Sequence, residues 1–432
     1  PGRSSSRARD VVTRPPRQIL EETARTAYGR LLAVLAARTR DIPSAEDALS
    51  EALVAALRRW PDEGVPQRPE AWLLTVARRR LTDRHRHLRV VAETAADVQA
   101  LWERHLSAGS GPFADRRLEL LFVCAHPAID PPVRAPLMLQ TVLGLSAEVV
   151  AGAFLVAPKT MGQRLWRAKR RIAEAGVPFE MPDPPTFAER LGDVLEAIYG
   201  AYGAAASLDG GDGRGGTLRA EAAFLARSVA QLLPGEPEAL GLCALLEHLE
   251  SRRPAQRSPE GRYVPLDLQD PHRWDGGRLA RAEQWLREAS ALGRPGRFQT
   301  EAAIQSAHAE RRVTGQVDRE GVVRLYEALL AMAPTIGARV GYAGALWSAG
   351  RPRAALVVLD ELPAVAVASF QAHWAVRAHV LLALARSEEA DEAFSRAIGL
   401  SEDPAVRRHL MGRRAGADPC RALRPLEEID TG

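Results

Sequence analysis

Apolar residues recur at intervals of three and four along most of the chain, the spacing that lays a stripe down one side of an α-helix. Ile19, Thr23, Ala27, Leu31 and Leu35 draw the first stripe, over about residues 16–40. Leu49, Leu53, Leu57 and Trp60 draw the second. Ser44 stands where it can cap that helix, and Glu46, Asp47 and Glu51 lie opposite the stripe, near the helix start, where acids suit the positive end of the dipole. A Pro/Gly-rich turn over Trp60–Pro66 follows, and Pro69 then suits the first position of a third helix. Leu73, Ala77 and Leu81 mark its packed side, widened by Trp72 and Val76. The pattern predicts an all-α fold.

From Val90 to Ala114 the periodicity fades into Ser107-Ala108-Gly109-Ser110-Gly111-Pro112, which predicts a linker with one short helix in it. Past Asp115 the apolar helix Leu118–Cys124 opens a new domain that continues through Pro131 to Leu143. Its end, Leu145 to Ile172, has the spacing of a helix-turn-helix. Ser146 caps a short first helix, Ala151 is the small contact where the helices cross, and Phe154 and Val156 are expected to fill the core at the turn. Met161, Leu165 and Ile172 form the buried side of the second helix. Lys159, Thr160, Gln163, Arg164 and Arg167 then face outward, with Arg170 further along, the arrangement in which a helix offers its N-terminal half to base edges and its later basic residues to phosphates. An amphipathic pair with a solvated basic face is the alternative.

Charge sharpens this picture. Of the 432 residues, the stretch up to Ala173 holds 28 Lys and Arg against 18 Asp and Glu, a net +10, whereas the remainder carries 30 against 36, a net −6. A basic first half is the footprint of a polyanion binder, and an acidic second half suits protein contacts. Within the third helix Arg78, Arg79, Arg80, Arg84 and Arg86 crowd together, a density that is self-repulsive unless phosphates or carboxylates answer it. Cys124, Cys243 and Cys420 are odd in number and far apart, so neither a disulfide framework nor a metal site is expected. Cys124 and His126 form a potential zinc pair without a second pair to complete it. No apolar run is long enough for a membrane span, and no signal-like segment precedes Arg17, which points to the cytoplasm.

Taken in order, the acidic helix leading into AWLLTVARRRLTDRHRH, the linker, LFVCAHPAI and the motif ending TMGQRLWRAKRRI resemble extracytoplasmic-function sigma factors of RNA polymerase. More narrowly, LPGEPEALGL at 233–242, Gln269-Asp270 with Arg273-Trp274-Asp275, and GRPGRFQTEAAI at 293–304 resemble the subgroup with a tetratricopeptide-like C-terminal extension. Ala125, Gly152, Leu155 and the Ala157-Pro158 order depart from the common pattern. The resemblance implies a tail over 1–15, a region 2 domain over 16–89, a linker over 90–114, a region 4 helix-turn-helix domain over 115–175, a helical extension over 176–415 and a tail over 416–432. It further implies that Glu46, Asp47 and Glu51 dock on the β′ clamp of core RNA polymerase, that the β flap is a second contact, and that the Trp72–His87 helix sits at the −10 element. Arg78, Arg79, Arg80, Arg84 and Arg86 would then hold phosphates. Lys159, Thr160, Gln163, Arg164, Arg167 and Arg170 would meet the −35 element of promoter DNA.

Residues 345–355 and 380–390 repeat at an offset of 35, close to the tetratricopeptide period of about 34 residues, which predicts stacked helical hairpins and a surface for a regulatory protein. Gly203 to Gly216 reads as a loop, not a nucleotide cradle. His248, His272, His308 and His373 are scattered, no nucleophile elbow occurs, and no cofactor is expected. The chain reads as a promoter-specificity subunit and not an enzyme. The rival reading is a stand-alone helix-turn-helix regulator with a helical sensing domain.

Overall fold

The computed structural model describes residues 14–89, 115–154, 156–208 and 214–417, and these are helices, short 3-10 turns and loops with a single isolated β-bridge between Arg257 and Tyr263. The chain divides into two compact units, Pro1–Leu225 and Ala226–Gly432.

In the first unit α1 (Pro16–Thr39), α2 (Ile42–Glu63) and α3 (Pro69–Arg89) pack together. Helix α1 ends where Arg40 turns left-handed at φ 54° and its N–H bonds to the Ala36 carbonyl. Helix α2 starts earlier than the stripe suggests. Its cap is Asp41, whose carboxylate accepts from the Ser44 N–H at 3.3 Å and from the Ser44 hydroxyl at 2.5 Å, so Ser44 supports the cap and is not itself the cap. The buried side of α2 is Ala45, Ala48, Leu49, Ala52, Ala56 and Trp60. Leu53 is only half-buried, and Leu57, about 100° around the helix from Ala56, is 50% exposed. Alanines line this face because they let α1 and α3 approach closely. In α3 the packed side gains Leu74 beside Leu73, Ala77 and Leu81, and Trp72 meets Trp60 edge-on at 5.6 Å. A bond of 2.5 Å from Arg30 to Glu70 joins α1 to α3.

Helices α4 (Arg117–Cys124), α5 (Pro131–Thr141), α6 (Ala147–Ala153), α7 (Pro158–Glu174), α8 (Pro184–Ala204) and the first part of α9 (Arg214–Leu232) complete the unit. Two glycines seat α1 on them. A Cβ on Gly29 would stand 1.7 Å from the Val142 carbonyl oxygen, and Gly144, at φ +67°, faces the Tyr28 ring. The charge step near residue 175 is therefore not where packing stops. Phe187 of α8 lies 4.2 Å from Phe122, Arg134 bonds Asp193 at 2.7 Å, and buried Arg117 bridges Asp115 and Glu221 with Phe224 beneath its guanidinium. Helix α8 thus covers apolar surface of α4 and α5, and α9 is tied to α4 through Arg117. Gly203 lies within α8, and Gly215 and Gly216 lie within the first turn of α9.

The second unit centres on α10 (Pro237–Ser251), which packs on α11 (Gly276–Ala291) and α12 (Arg297–Ala309). The three motif segments noted above meet here. The Glu238 carboxylate accepts from the Phe298 and Gln299 N–H groups at 2.9 and 3.0 Å and so caps α12, in space left open by Gly296 and Gly241. Trp274 Nε1 donates to Gln269 at 3.2 Å, and Asp275 caps α11. Buried Glu247 is met by Arg278 at 3.0 Å, Arg281 at 3.3 Å and Arg227 at 3.7 Å. Beyond α13 (Arg311–Thr314) come α14 (Arg319–Met332), α15 (Ile336–Ser348), α16 (Pro352–Asp360), α17 (Ala364–Val367), α18 (Gln371–Ala383), α19 (Ser387–Leu400) and α20 (Pro404–Ala417), around one core cluster.

The 35-residue offset is visible in the backbone. Hairpins α15–α16 and α18–α19 turn at Gly350 (φ 77°) and Ala385 (φ 58°), equivalent positions in the repeat. A left-handed conformation costs an L-residue about 1–2 kcal/mol, which Gly avoids. Gly350→Ala should therefore destabilise the chain by about 1 kcal/mol, while Ala385→Gly should be neutral or slightly stabilising, the relieved strain outweighing the extra freedom of the unfolded chain. Denaturant midpoints of the two variants test this, and a large destabilisation by Ala385→Gly would contradict the equivalence.

Candidate nucleic-acid interface

Helices α6 and α7 build the outward face of the first unit. Ser146 caps α6 by accepting from the Val149 N–H at 3.4 Å, and buried Val150 and Ala151 hold its inner side. At the turn, Val156 is half-buried and its N–H bonds the Ala151 carbonyl, but Phe154 is 38% exposed, so it does not fill the core as the spacing implied. With α6 only seven residues long, its inner positions are already taken by Val150 and Ala151. Leu155 lies outside the described residues.

Met161, Leu165, Ala168, Lys169 and Ile172 form the buried side of α7. Lys159, Thr160, Gln163, Arg164, Arg167 and Arg170 are all exposed. At 100° per residue they span about 140° of the helix circumference, an unbroken polar and cationic face. No acidic residue occupies the first turn. Arg170 pairs with Glu174 at 2.6 Å, a solvent-exposed pair that phosphate can readily displace. Trp166, 58% exposed, sits at the edge of the same face with the Arg170 guanidinium 5.5 Å from its ring. Counting the helical wheel from Lys159 puts this tryptophan on the polar side, and an indole there is the signal that sequence reading missed, together with exposed Arg171.

On α3, Arg79 and Arg80 are exposed and Arg78 is half-buried. Burial, with Arg78 next to it, lowers the Arg38 guanidinium of α1, and burial lowers Arg78; both nonetheless remain charged at neutral pH. Arg38 thus stands beside Arg78 on the same side of the unit, a neighbour that the spacing of α3 alone does not predict. The side chains of Arg84 and Arg86, on the last turns of α3, lie outside the described residues.

The three acids of α2 separate. Asp47 is exposed, Glu51 lies 3.4 Å from Arg80, and Glu46 receives both of its bonds from Lys169 of α7, at 2.6 and 2.8 Å. Burial raises the nearby Tyr28 phenol above its usual range, with the Glu46 charge adding to the effect, and burial pushes the Cys124 thiol up to about 12. Cys124 lies 3.4 Å from the Thr141 hydroxyl, a core contact. Among the described residues no group of three or more His, Cys, Asp or Glu is placed to hold a metal, and no helix is long and apolar enough to cross a membrane.

Residues 24–90, from α1 to the end of α3, match the family model described as Sigma-70 region 2. This region 2 match supports a sigma-70 family factor. It is also 37% identical over 372 residues to an uncharacterized protein of Rhizobium meliloti (strain 1021), covering 84% of this chain and 87% of that one. Residues 190–290 match a family of unknown function (DUF6596), a range that begins in α8 and ends in α11. No solved structure matches the chain. A Sigma-70 region 2 domain supports a role in transcription initiation and implies interaction with core RNA polymerase and promoter DNA.

The exposed face of α7 makes a graded expectation. If Arg164 reads a base edge, Arg164→Ala should cost about 1–3 kcal/mol and relax preference at one position, whereas loss of a phosphate contact should weaken all sequences alike and flatten the salt dependence. A base-substitution series over the upstream promoter element, at two salt concentrations, distinguishes the two; unchanged affinity everywhere removes Arg164 from the interface.

Proposed function

We propose that the protein is a sigma factor of the extracytoplasmic-function type, working in the cytoplasm, whose α3 engages the −10 element and whose α7 reads the −35 element. The observation that carries this is the unbroken cationic face of α7 in the same compact unit as the region 2 match. Asp47 and Glu51, with Glu46, are the proposed contacts to the β′ clamp, and exposed Leu57 and Val54 on α2 supply apolar area beside them. The β flap is the proposed partner of the helix-turn-helix domain.

Geometry adds a requirement. Elements at −10 and −35 are about 25 base pairs apart, about 85 Å along B-form DNA at about 3.4 Å per pair, while Glu46 and Lys169 join α2 and α7 by bonds under 3 Å. Reading both elements at once therefore demands that this pair open. In run-off transcription with purified core polymerase the protein should give a promoter-specific product, and Lys169→Met, which leaves Glu46 unpaired, should strengthen core binding. Absence of any specific product at every promoter tested, its own operon included, would sink the assignment; binding of duplex promoter DNA with full specificity but no polymerase would favour a stand-alone regulator instead.

The hairpins of the second unit support a tetratricopeptide-like extension, which we assign a tuning role on the strength of its size, since its 27 Asp and Glu over residues 226–432 are balanced by 27 Arg. Because α8 packs on α4 and α5 and α9 is tied to α4 through Arg117, the informative truncation ends at Leu232 and not near residue 175. Removing residues 233–432 should change promoter-directed transcription several-fold, upward for an inhibitory extension and downward for a required platform. Transcription equal to that of the full chain would refute both.

A further inference from the structure

The second unit carries a cavity of about 210 Å³, open to solvent on one side, between α14, α15 and α18, bounded also by His308 of α12 and by the segment carrying Asp267. At about 30 Å³ per water molecule this is room for about seven waters, or for a compact ring system of about ten non-hydrogen atoms packed at protein density. Its size is set by small residues on α15. A Cβ at Gly341 would stand 2.6 Å from the Tyr326 ring, so glycine lets that ring lie flat against the helix, and a Cβ at Gly344 would meet nothing within 4 Å.

The polar groups around this space leave hydrogen-bonding capacity open. The Tyr326 hydroxyl and the His308 ring nitrogens make no hydrogen bond to a described residue, and His379 Nδ1 is buried without one. Protein interiors satisfy the large majority of buried polar atoms, so His379 Nδ1 calls for an explanation, and the Tyr326 hydroxyl and His308 ring on the same cavity wall are open to the same occupant. Burial lowers both His308 and His379 to about 4, leaving them neutral at physiological pH, and each neutral imidazole offers one donor and one acceptor. The phenol, raised to about 12 by burial, likewise stays neutral and can do both. Trp347, stacked on His379 at 5.4 Å and 15°, supplies a flat aromatic wall.

These features select a class of ligand. No charged residue lines the inner wall, and buried Arg252, whose charge reaches His308 and Tyr326 from behind, is engaged by Gln305, so a charged ligand group would lack a counter-ion among the lining residues. The rim holds Asp267 and Arg319, both exposed and opposite in sign, which gives a phosphate no net attraction. We propose that the cavity binds an uncharged planar nitrogen heterocycle of purine size, whose edges carry both hydrogen-bond donors and acceptors. The assignment is independent of any role in transcription, because it rests on the second unit alone.

Calorimetric titration of the full chain with adenine, hypoxanthine, indole and adenosine 5′-monophosphate tests it. At least one of the two bases should bind saturably at one site per chain and raise the melting temperature. Tyr326→Phe should weaken that binding about tenfold, the loss of one hydrogen bond. Gly344→Leu should abolish it while keeping the cooperative melt, since the new side chain enters open space and leucine favours helix. Failure of both bases to bind at millimolar concentration overturns the proposal. So does indole binding as tightly as the better base, which would make the cavity merely apolar, or the nucleotide binding more than about tenfold tighter than adenine, which would make phosphate the recognised group. Unchanged binding in Gly344→Leu would place the ligand elsewhere and overturn it as well.

Discussion

Lys169 is the basic residue of α7 that the first unit takes out of solvent. Its side chain is 9% exposed and bonds both oxygens of Glu46, 123 residues earlier in the chain. Taking an ammonium and a carboxylate from water costs several kcal/mol each, and only close, doubly bonded geometry offsets that. The consequence is a division of labour around one helix. Lys169 shares the inner side with Met161, Leu165 and Ile172, while the remaining cations are held outward, where a polyanion can reach them. Such a pair adds little net stability compared with an apolar contact, but breaking it by removing one partner is expensive. It therefore defines one arrangement of α2 and α7 sharply.

Close backbone approach sets the surroundings of that pair. Gly29 against the Val142 carbonyl and Gly144 against Tyr28 bring α1 down on the connection between α5 and α6. The same device recurs in the second unit, where Gly241 and Gly296 make space for Glu238 to cap α12. In both units a missing Cβ allows a close approach that a larger residue would prevent, and in the second it makes room for a polar cap. Glu247, ringed by three arginines, is the counterpart of Glu46 in that second unit: a carboxylate buried only because cations converge on it.

Much of this was legible in the chain itself. The helix stripes, the Ser146 cap, the buried Met161, Leu165 and Ile172, the exposed basic series on α7 and the 35-residue repeat follow from local periodicity and capping chemistry, which neighbouring residues decide among themselves. Other features depend on what each helix meets. Leu57 and Phe154 are apolar at plausible core positions, yet remain exposed because alanines in α2 and a short α6 turn other residues inward. Lys169 and Lys159 look alike in sequence, and only the arrival of Glu46 makes one a buried anchor and leaves the other on the surface. The extent of the first unit was hidden likewise. Charge changes sign near residue 175, but Phe187, Asp193 and Glu221 pack back on α4 and α5. Local order is thus written in spacings of three and four residues. Burial, ion pairing and the limits of a domain are settled between segments tens of residues apart, where no local pattern reaches.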